Sequence, residues 1–456
     1  MKTWLAGIAG ICVLGCATGL AQQSTDDTAI KARLEAIASS YTSGNAFMGT
    51  VLVAEGDRTL LDKGYGSADL EWNIPNAPDV KFRLGSLTKQ FTASLILLLQ
   101  QDGKLNIADP VSKYLPDTPK AWEKITLANL LGHTSGIPNF TNGTEFGTWR
   151  MSPHTTAEEL AFFRDKPLDF APGSKFSYSN SNFEVLGAVI EKVSGQTYEE
   201  QLRTRLFGPL GMKNTGLDSD ELILPKRAQG YAKGKDGIVH ERSESMSVPW
   251  AAGSLYSTTG DLLLWEHALF SGKVLNDASF KAMTTPGLGD YGLGIGIRKQ
   301  DNITVVAHSG GIEGFNTYLS YVPERKIAIV VLSNVNGSSP DAMAAQLLDT
   351  VLGKKVILAS ERKAVPITAS ELQKFTGVYD LVPSFALTIA INGSGSLTAQ
   401  GTGQQALPLM YQGTTDGHPR FFLTEVNAEI EFVPDATGAI TSLILHQGGD
   451  HPAKKR

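Results

Sequence analysis

The chain has 456 residues, enough for two domains or one oversized one, and its 42% hydrophobic content with 19 Phe, 12 Tyr and 6 Trp excludes disorder as the main state. Forty Lys and Arg against 46 Asp and Glu give a net charge of −6 with no densely basic stretch, so a nucleic acid has no electrostatic footing as a partner.

Lys2, an apolar run from Trp4 to Leu14 and small residues ending at Ala21 have the layout of a secretory signal, which predicts removal of residues 1–21 and a periplasmic or secreted product. Both cysteines, Cys12 and Cys16, fall in this segment. Val13-Leu14-Gly15-Cys16 also resembles a lipobox, so the alternative is a lipoprotein anchored through Cys16, the one route to a membrane. No other run reaches the ~18 apolar residues of a bilayer span.

Ile30, Leu34, Ile37 and Tyr41 recur at helical spacing and predict a helix beginning near Ala29. Gly49 to Leu61 alternates around Glu55-Gly56-Asp57 and predicts a β-hairpin. Ser86 to Gln101, without Gly or Pro, predicts a buried helix, and Ser181 to Val193 another. Strands are predicted from Tyr291 through Ile297 and over Val305 to His308, Tyr318 to Val322 and Ile327 to Ser333, then a helix over Ala342 to Leu352. Early and late strands with helices between them predict one α/β (α+β) domain over residues 22–355, its sheet assembled from both ends of the segment and an all-helical region inserted.

A charged stretch ending in Pro366 marks a linker over 356–370. Short β-prone runs then alternate with turn residues at Phe385 to Ile391, Ser396 to Ala399, Arg420 to Leu423, Glu429 to Val433 and Ile440 to Leu445. They predict a small antiparallel β-barrel over 371–456, with His451 to Arg456 as a frayed tail.

Three groups of residues can carry chemistry. Ser86-Leu87-Thr88-Lys89 opens the buried helix, and a spacing of three puts Lys89 on the face of Ser86, an activated-nucleophile geometry. A second match, Ser360-Glu361-Arg362-Lys363, lies among charges in the linker and reads as exposed and inert. Tyr178-Ser179-Asn180 occupies a polar loop before an apolar helix. His308-Ser309-Gly310-Gly311 ends a strand, where the glycines let a substrate backbone come close. The His residues show no zinc-type spacing and predict no metal site. Asp261 and Glu266 read as helix N-terminal and solvated charges, and His133 as structural.

The ordered set SxxK, YxN, HxG resembles the penicillin-recognising serine hydrolases of the class C β-lactamase type, a group including D-alanyl-D-alanine carboxypeptidases, D-aminopeptidases and esterases. The resemblance extends to Asn129 to Ile137, Pro172 to Asn180, Leu206 to Met212 and Ala252 to Thr258, and Phe375 to Tyr379 resembles an appended lipocalin-like domain. It implies a cofactor-free β-lactamase/transpeptidase-like enzyme with Ser86 as acylated nucleophile, Lys89 as its proton partner and Tyr178 as a phenolate-like base and acid. Asn180 would hold the substrate carbonyl, the N–H groups of Ser86 and Gly311 would form the oxyanion hole, and His308, Ser309 and Gly310 would line the substrate site. His308 stands where many members carry Lys, which points away from a dedicated β-lactamase. The resemblance implies a D-amino-acid peptide or a related small amide or ester as substrate, with peptidoglycan fragments or β-lactams among the candidates. The alternatives are a β-lactamase, a carboxylesterase or a non-turnover penicillin-binding sensor, with oligomers forming through the C-terminal domain.

Overall fold

A computed structural model describes residues 14–235, 237–242, 244–300, 302–423, 428–447 and 450–456, with side chains from residue 27 onward. The signal-like segment lies outside the described residues up to 13, and nothing is described of the Cys16 side chain. Helix α1 (Leu14–Ser40) covers the expected helix and reaches back from Ala29 to the first described residue. Strands β1 (Gly49–Glu55) and β2 (Arg58–Tyr65) form the expected hairpin. Helices α2 (Thr88–Gln101), α3 (Ser181–Ser194) and α4 (Thr259–Phe270) follow. Then come β3 (Gly296–Gln300), β4 (Ile303–Ile312), β5 (Phe315–Val322), β6 (Ile327–Ser333) and helix α5 (Pro340–Val351).

The sheet order is β3-β4-β5-β6-β1-β2, so strands from both ends of the segment meet at the antiparallel β6–β1 pair. Both of its faces are covered. Along β1, Leu52 and Ala54 enter the core shared with α2, α3 and α4, whereas Val51 and Val53 enter a second core with Leu34 and Ile37 of α1 and Leu347 and Leu348 of α5. Alternate side chains of a strand point to opposite faces, which is why these strands read as continuous apolar runs. β3 begins at Gly296 rather than Tyr291, since Gly292 and Gly294 keep the preceding segment out of the ladder against Met283 and Lys89.

Strands β7 (Gly377–Val382), β8 (Phe385–Ile391), β9 (Leu397–Gly401), β10 (Leu407–Thr415), β11 (His418–Leu423), β12 (Glu429–Pro434), β13 (Ile440–His446) and β14 (Asp450–Lys455) close an eight-stranded antiparallel barrel. The expected frayed tail is thus the closing strand, paired with both β13 and β7. Its polar composition misled because only Ala453 points into the core; the other side chains face outward and the ladder supplies the stability.

The linker region is likewise not free. Leu358 is buried in the α1/α5 core, and Arg33 of α1 donates to Glu361 Oε2 at 2.7 Å and also bonds the Val356 carbonyl. The next residue, Arg362, bonds Glu429 of the barrel, and Val365 N donates to Tyr411 O at 2.7 Å. Among the described residues, no helix is long and apolar enough to cross a membrane.

Candidate active site

Ser86 sits in a single 3-10 turn, Gly85–Leu87, that leads straight into α2. Gly85 has φ +55°, and a Cβ there would come within 2.9 Å of the Gly311 backbone N, so only glycine lets the nucleophile turn lie against β4. One turn deeper, the fully buried Lys89 Nζ lies 2.9 Å from Ser86 Oγ, 2.8 Å from Asn180 Oδ1 and 2.9 Å from the Ala252 carbonyl oxygen. Two of these partners can only accept. An ammonium donates to all three oxygens, whereas a neutral amine, with two N–H donors and one lone pair, satisfies the two carbonyl oxygens and can still accept the Ser86 hydroxyl proton. Asn180 arrives at the start of α3, its Nδ2 donating to Thr141 Oγ1 at 3.3 Å with a second proton left over.

Burial pushes the Lys89 ammonium down to about 7, opposed by the Coulombic pull of Glu184. Glu184, also wholly buried, is held well above the usual carboxylate range by desolvation, with Glu159 raising it further and Lys89 drawing it back. The two act on each other through charge, with no hydrogen bond between them among the described residues. Tyr178 is half-buried on a cavity wall; desolvation pushes its phenol upward, against a hydrogen bond with Ser86. Lys89 Nζ lies 4.9 Å from the centre of the Tyr178 ring, over its face. The resemblance implies a phenolate-like Tyr178; here burial favours the protonated phenol and works against the charged form of Lys89.

The HxG element also departs from expectation. His308 Nδ1 lies 2.5 Å from the Ser309 carbonyl, which can only accept, so Nδ1 carries the proton and Nε2 accepts from the Tyr291 hydroxyl at 2.8 Å. Both ring nitrogens are committed, and burial together with Lys89 pushes the imidazole down to about 4. His308 thus braces Tyr291 through Nε2. A Cβ on Gly310 would meet the Leu84 carbonyl oxygen at 2.0 Å, so that glycine admits the chain before Ser86, not a ligand. Gly311 does face a cavity, shared with Ser86 and Asn180. Ser309 and His308 line a second cavity with Tyr178, Tyr291 and the exposed Arg298.

His133, fully buried with φ +54°, accepts at Nδ1 from Ser179 N at 3.2 Å and packs 4.3 Å from the Tyr178 ring centre. Asp261 and Glu266 are buried, not solvated: Asp261 Oδ2 accepts from Asn214 N at 2.7 Å and from Thr215 Oγ1 at 2.9 Å. Burial pushes Glu266 up to about 8. Sequence reasoning missed Tyr291, Glu184 and Glu244. Glu184 left a trace, a carboxyl flanked by Phe183 and Val185 and four residues after Asn180, on its helical face. Ser360 of the second SxxK is exposed. Among the described residues no His, Cys, Asp and Glu cluster could hold a metal ion.

Residues 34–352 match the Beta-lactamase family. The chain belongs to that family. It is a serine hydrolase, and its Beta-lactamase-family part carries the sheet and both cavities. A putative penicillin-binding protein, PbpX, of Bacillus subtilis (strain 168) is 31% identical over 302 residues, 66% of this chain and 74% of that protein. A teichoic acid D-alanine hydrolase of Staphylococcus aureus is 28% identical over 304 residues, 66% and 73% of the two chains. Among solved structures, a D-stereospecific amidohydrolase from Streptomyces sp. superposes with a TM-score of 0.61 at 26% identity, over 72% of this chain and 99% of that one. An octameric penicillin-binding protein homologue from Pyrococcus abyssi gives 0.67 at 25% identity over 93% and 99%, a span that reaches into the barrel.

Proposed function

We propose that this Beta-lactamase-family chain hydrolyses D-aminoacyl amides and esters through an acyl-enzyme on Ser86. The observation that carries the reading is the Lys89 amine, desolvated and held between two obligate acceptors and the Ser86 hydroxyl. Ser86 Oγ attacks the acyl carbon while its proton passes to neutral Lys89. The Ser86 and Gly311 N–H groups receive the developing oxyanion, and Asn180 Nδ2 steadies the substrate. As the C–N or C–O bond breaks, the Tyr178 phenol protonates the leaving atom, and the Lys89 proton replaces the one it gave. Water then attacks the ester by the reverse path, giving the free acid and restoring Ser86. The likeness to a D-alanine hydrolase and a D-stereospecific amidohydrolase supports the D-configured substrate.

Export with residues 1–21 removed belongs to the same proposal, as does a functional division in which residues through Glu361 form the catalytic part. Intact-mass analysis after a fluorophosphonate should show a single adduct that is absent in Ser86→Ala, alongside turnover of D-alanyl amides and esters. An adduct on another residue, or turnover confined to L-configured substrates, overturns the proposal.

A further inference from the structure

On the reading that Ser86 is the nucleophile, the cavity it shares with Asn180 and Gly311 is open to the acyl part of a substrate. Its titratable lining is acidic: Glu244 and Glu313, with no Lys, Arg or His. Glu313 is ion-paired with Arg150. Glu244 is different. It is 4% exposed, yet its carboxyl takes part in no hydrogen bond or ion pair with any described residue. Arg150 and Arg83 act on it only at Coulombic range; Arg83 is bonded to Asp218, and Arg150 is ion-paired with Glu313 while its buried Nε has no partner. Asp220 and Glu159 are the acids within that range.

The loop carrying Glu244 is pinned in place. Ser245 N donates to the Arg150 carbonyl at 2.9 Å and Ser245 Oγ to Asp220 Oδ2 at 2.7 Å, while Met246 N reaches the same Oδ2 at 3.1 Å. The Met246 carbonyl accepts from Ser254 Oγ at 2.6 Å. Asn336, on the same cavity, spends its amide on Ile312 O, Phe315 O and Gly314 N, and offers Glu244 nothing. A buried carboxyl without a donor is costly, and a rigid one at a cavity wall is completed by a donor that the ligand brings.

We propose that Glu244 receives the free α-ammonium of a D-aminoacyl group, so that the enzyme selects substrates with an unblocked amine over N-acylated ones. The proposal rests on Ser86 being the nucleophile. An ammonium supplies both the missing donors and the opposite charge, whereas an acyl group bearing a carboxylate meets Glu244 and Glu313 and no free cation. Burial pushes Glu244 up to about 7, and an arriving cation favours its ionised form. Phe140 and Phe146 on the same cavity give a small apolar side chain its wall.

The test compares D-alanyl-p-nitroanilide with its N-acetyl derivative on the full chain. The wild type should favour the free amine by about 10- to 100-fold in kcat/KM, and Glu244→Gln should bring the ratio near unity, mainly through KM. A wild-type preference for the N-acetyl substrate, or a ratio that Glu244→Gln leaves intact, overturns the inference. A measurement needing no variant stands beside it: D-alaninamide should protect Ser86 from fluorophosphonate at lower concentration than propionamide, and equal protection overturns the inference alone. If fluorophosphonate does not label Ser86 at all, the nucleophile reading falls and this inference with it.

Discussion

The catalytic part and the barrel both bury glutamates, and they treat them in opposite ways. Burial works to raise Glu429 and Glu431 of the barrel, but bonds from Arg362, Gln412 and Arg420 to the first, and from His418, Arg420 and His446 to the second, leave both below the usual range. In the catalytic part burial outweighs the partners: Glu159 reaches about 8, Glu244 about 7, and Glu184 lies well above its ordinary value. Paired buried charges hold a shape. Buried groups kept off balance hold protons ready to move, and such perturbation collects where chemistry is done.

The largest expected effect breaks the catalytic side of this contrast. Lys89→Met should lower kcat by about 10²–10⁴, the range for losing a general base, with the fold intact by circular dichroism. A turnover within threefold of wild type would move the base elsewhere. Tyr178→Phe comes next, and its effect should depend on the leaving group: a fall of about 10² on an amide, whose nitrogen must be protonated, and much less on a p-nitrophenyl ester. Equal losses on both substrates would remove Tyr178 from the proton path.

A pH profile sharpens the comparison further. Lys89 must be neutral to accept a proton, so kcat/KM should rise with pH through an apparent value near 7. The Glu184 carboxylate raises Lys89, so Glu184→Gln should move that limb to lower pH. A shift upward would contradict the coupling, and an unmoved limb would show that Glu184 is already protonated there.

On the barrel side, Glu429 and Glu431 have folded-state values below their unfolded value of about 4.3, so the stability they contribute is present above that pH and fades as pH falls through the lower folded values. Arg420→Met strips both acids of a partner and should destabilise the barrel by about 1–3 kcal/mol at pH 7, with kcat unchanged. Calorimetry with parallel assays checks both parts. The smallest effect belongs to truncation after Glu361, which should leave Ser86 labelling by fluorophosphonate within about twofold of the full chain, since the residues lining both cavities precede it.

The sequence was most legible where one physical demand dominated. β1 and β6 stood out because their side chains feed two cores, and Ser86 with Lys89 because a spacing of three on a buried helix has a single geometric meaning. β7, β10 and β14 did not, because bulges at Asp380/Val382 and Tyr411/Gly413 interrupt the alternation of the first two and outward-facing polar side chains disguise the third. Glu184 and Glu244 acquire meaning only through contacts bridging about a hundred residues of chain, and His308 became a brace only once Tyr291 was seen beside it. Local pattern carries no record of such meetings.

The pairing of β14 with β7 has a consequence for biosynthesis. Tyr379 and Asp380 lie opposite Lys455 and Lys454, so the barrel has no complete ladder until the last of its strands has been made. The central β1–β6 pair needs the chain only as far as Ser333, and α5 that covers it ends at Val351. The catalytic sheet can therefore mature while barrel strands are still arriving, and open strand edges, the hazard of any unfinished sheet, are confined to the segment farthest from the nucleophile in sequence.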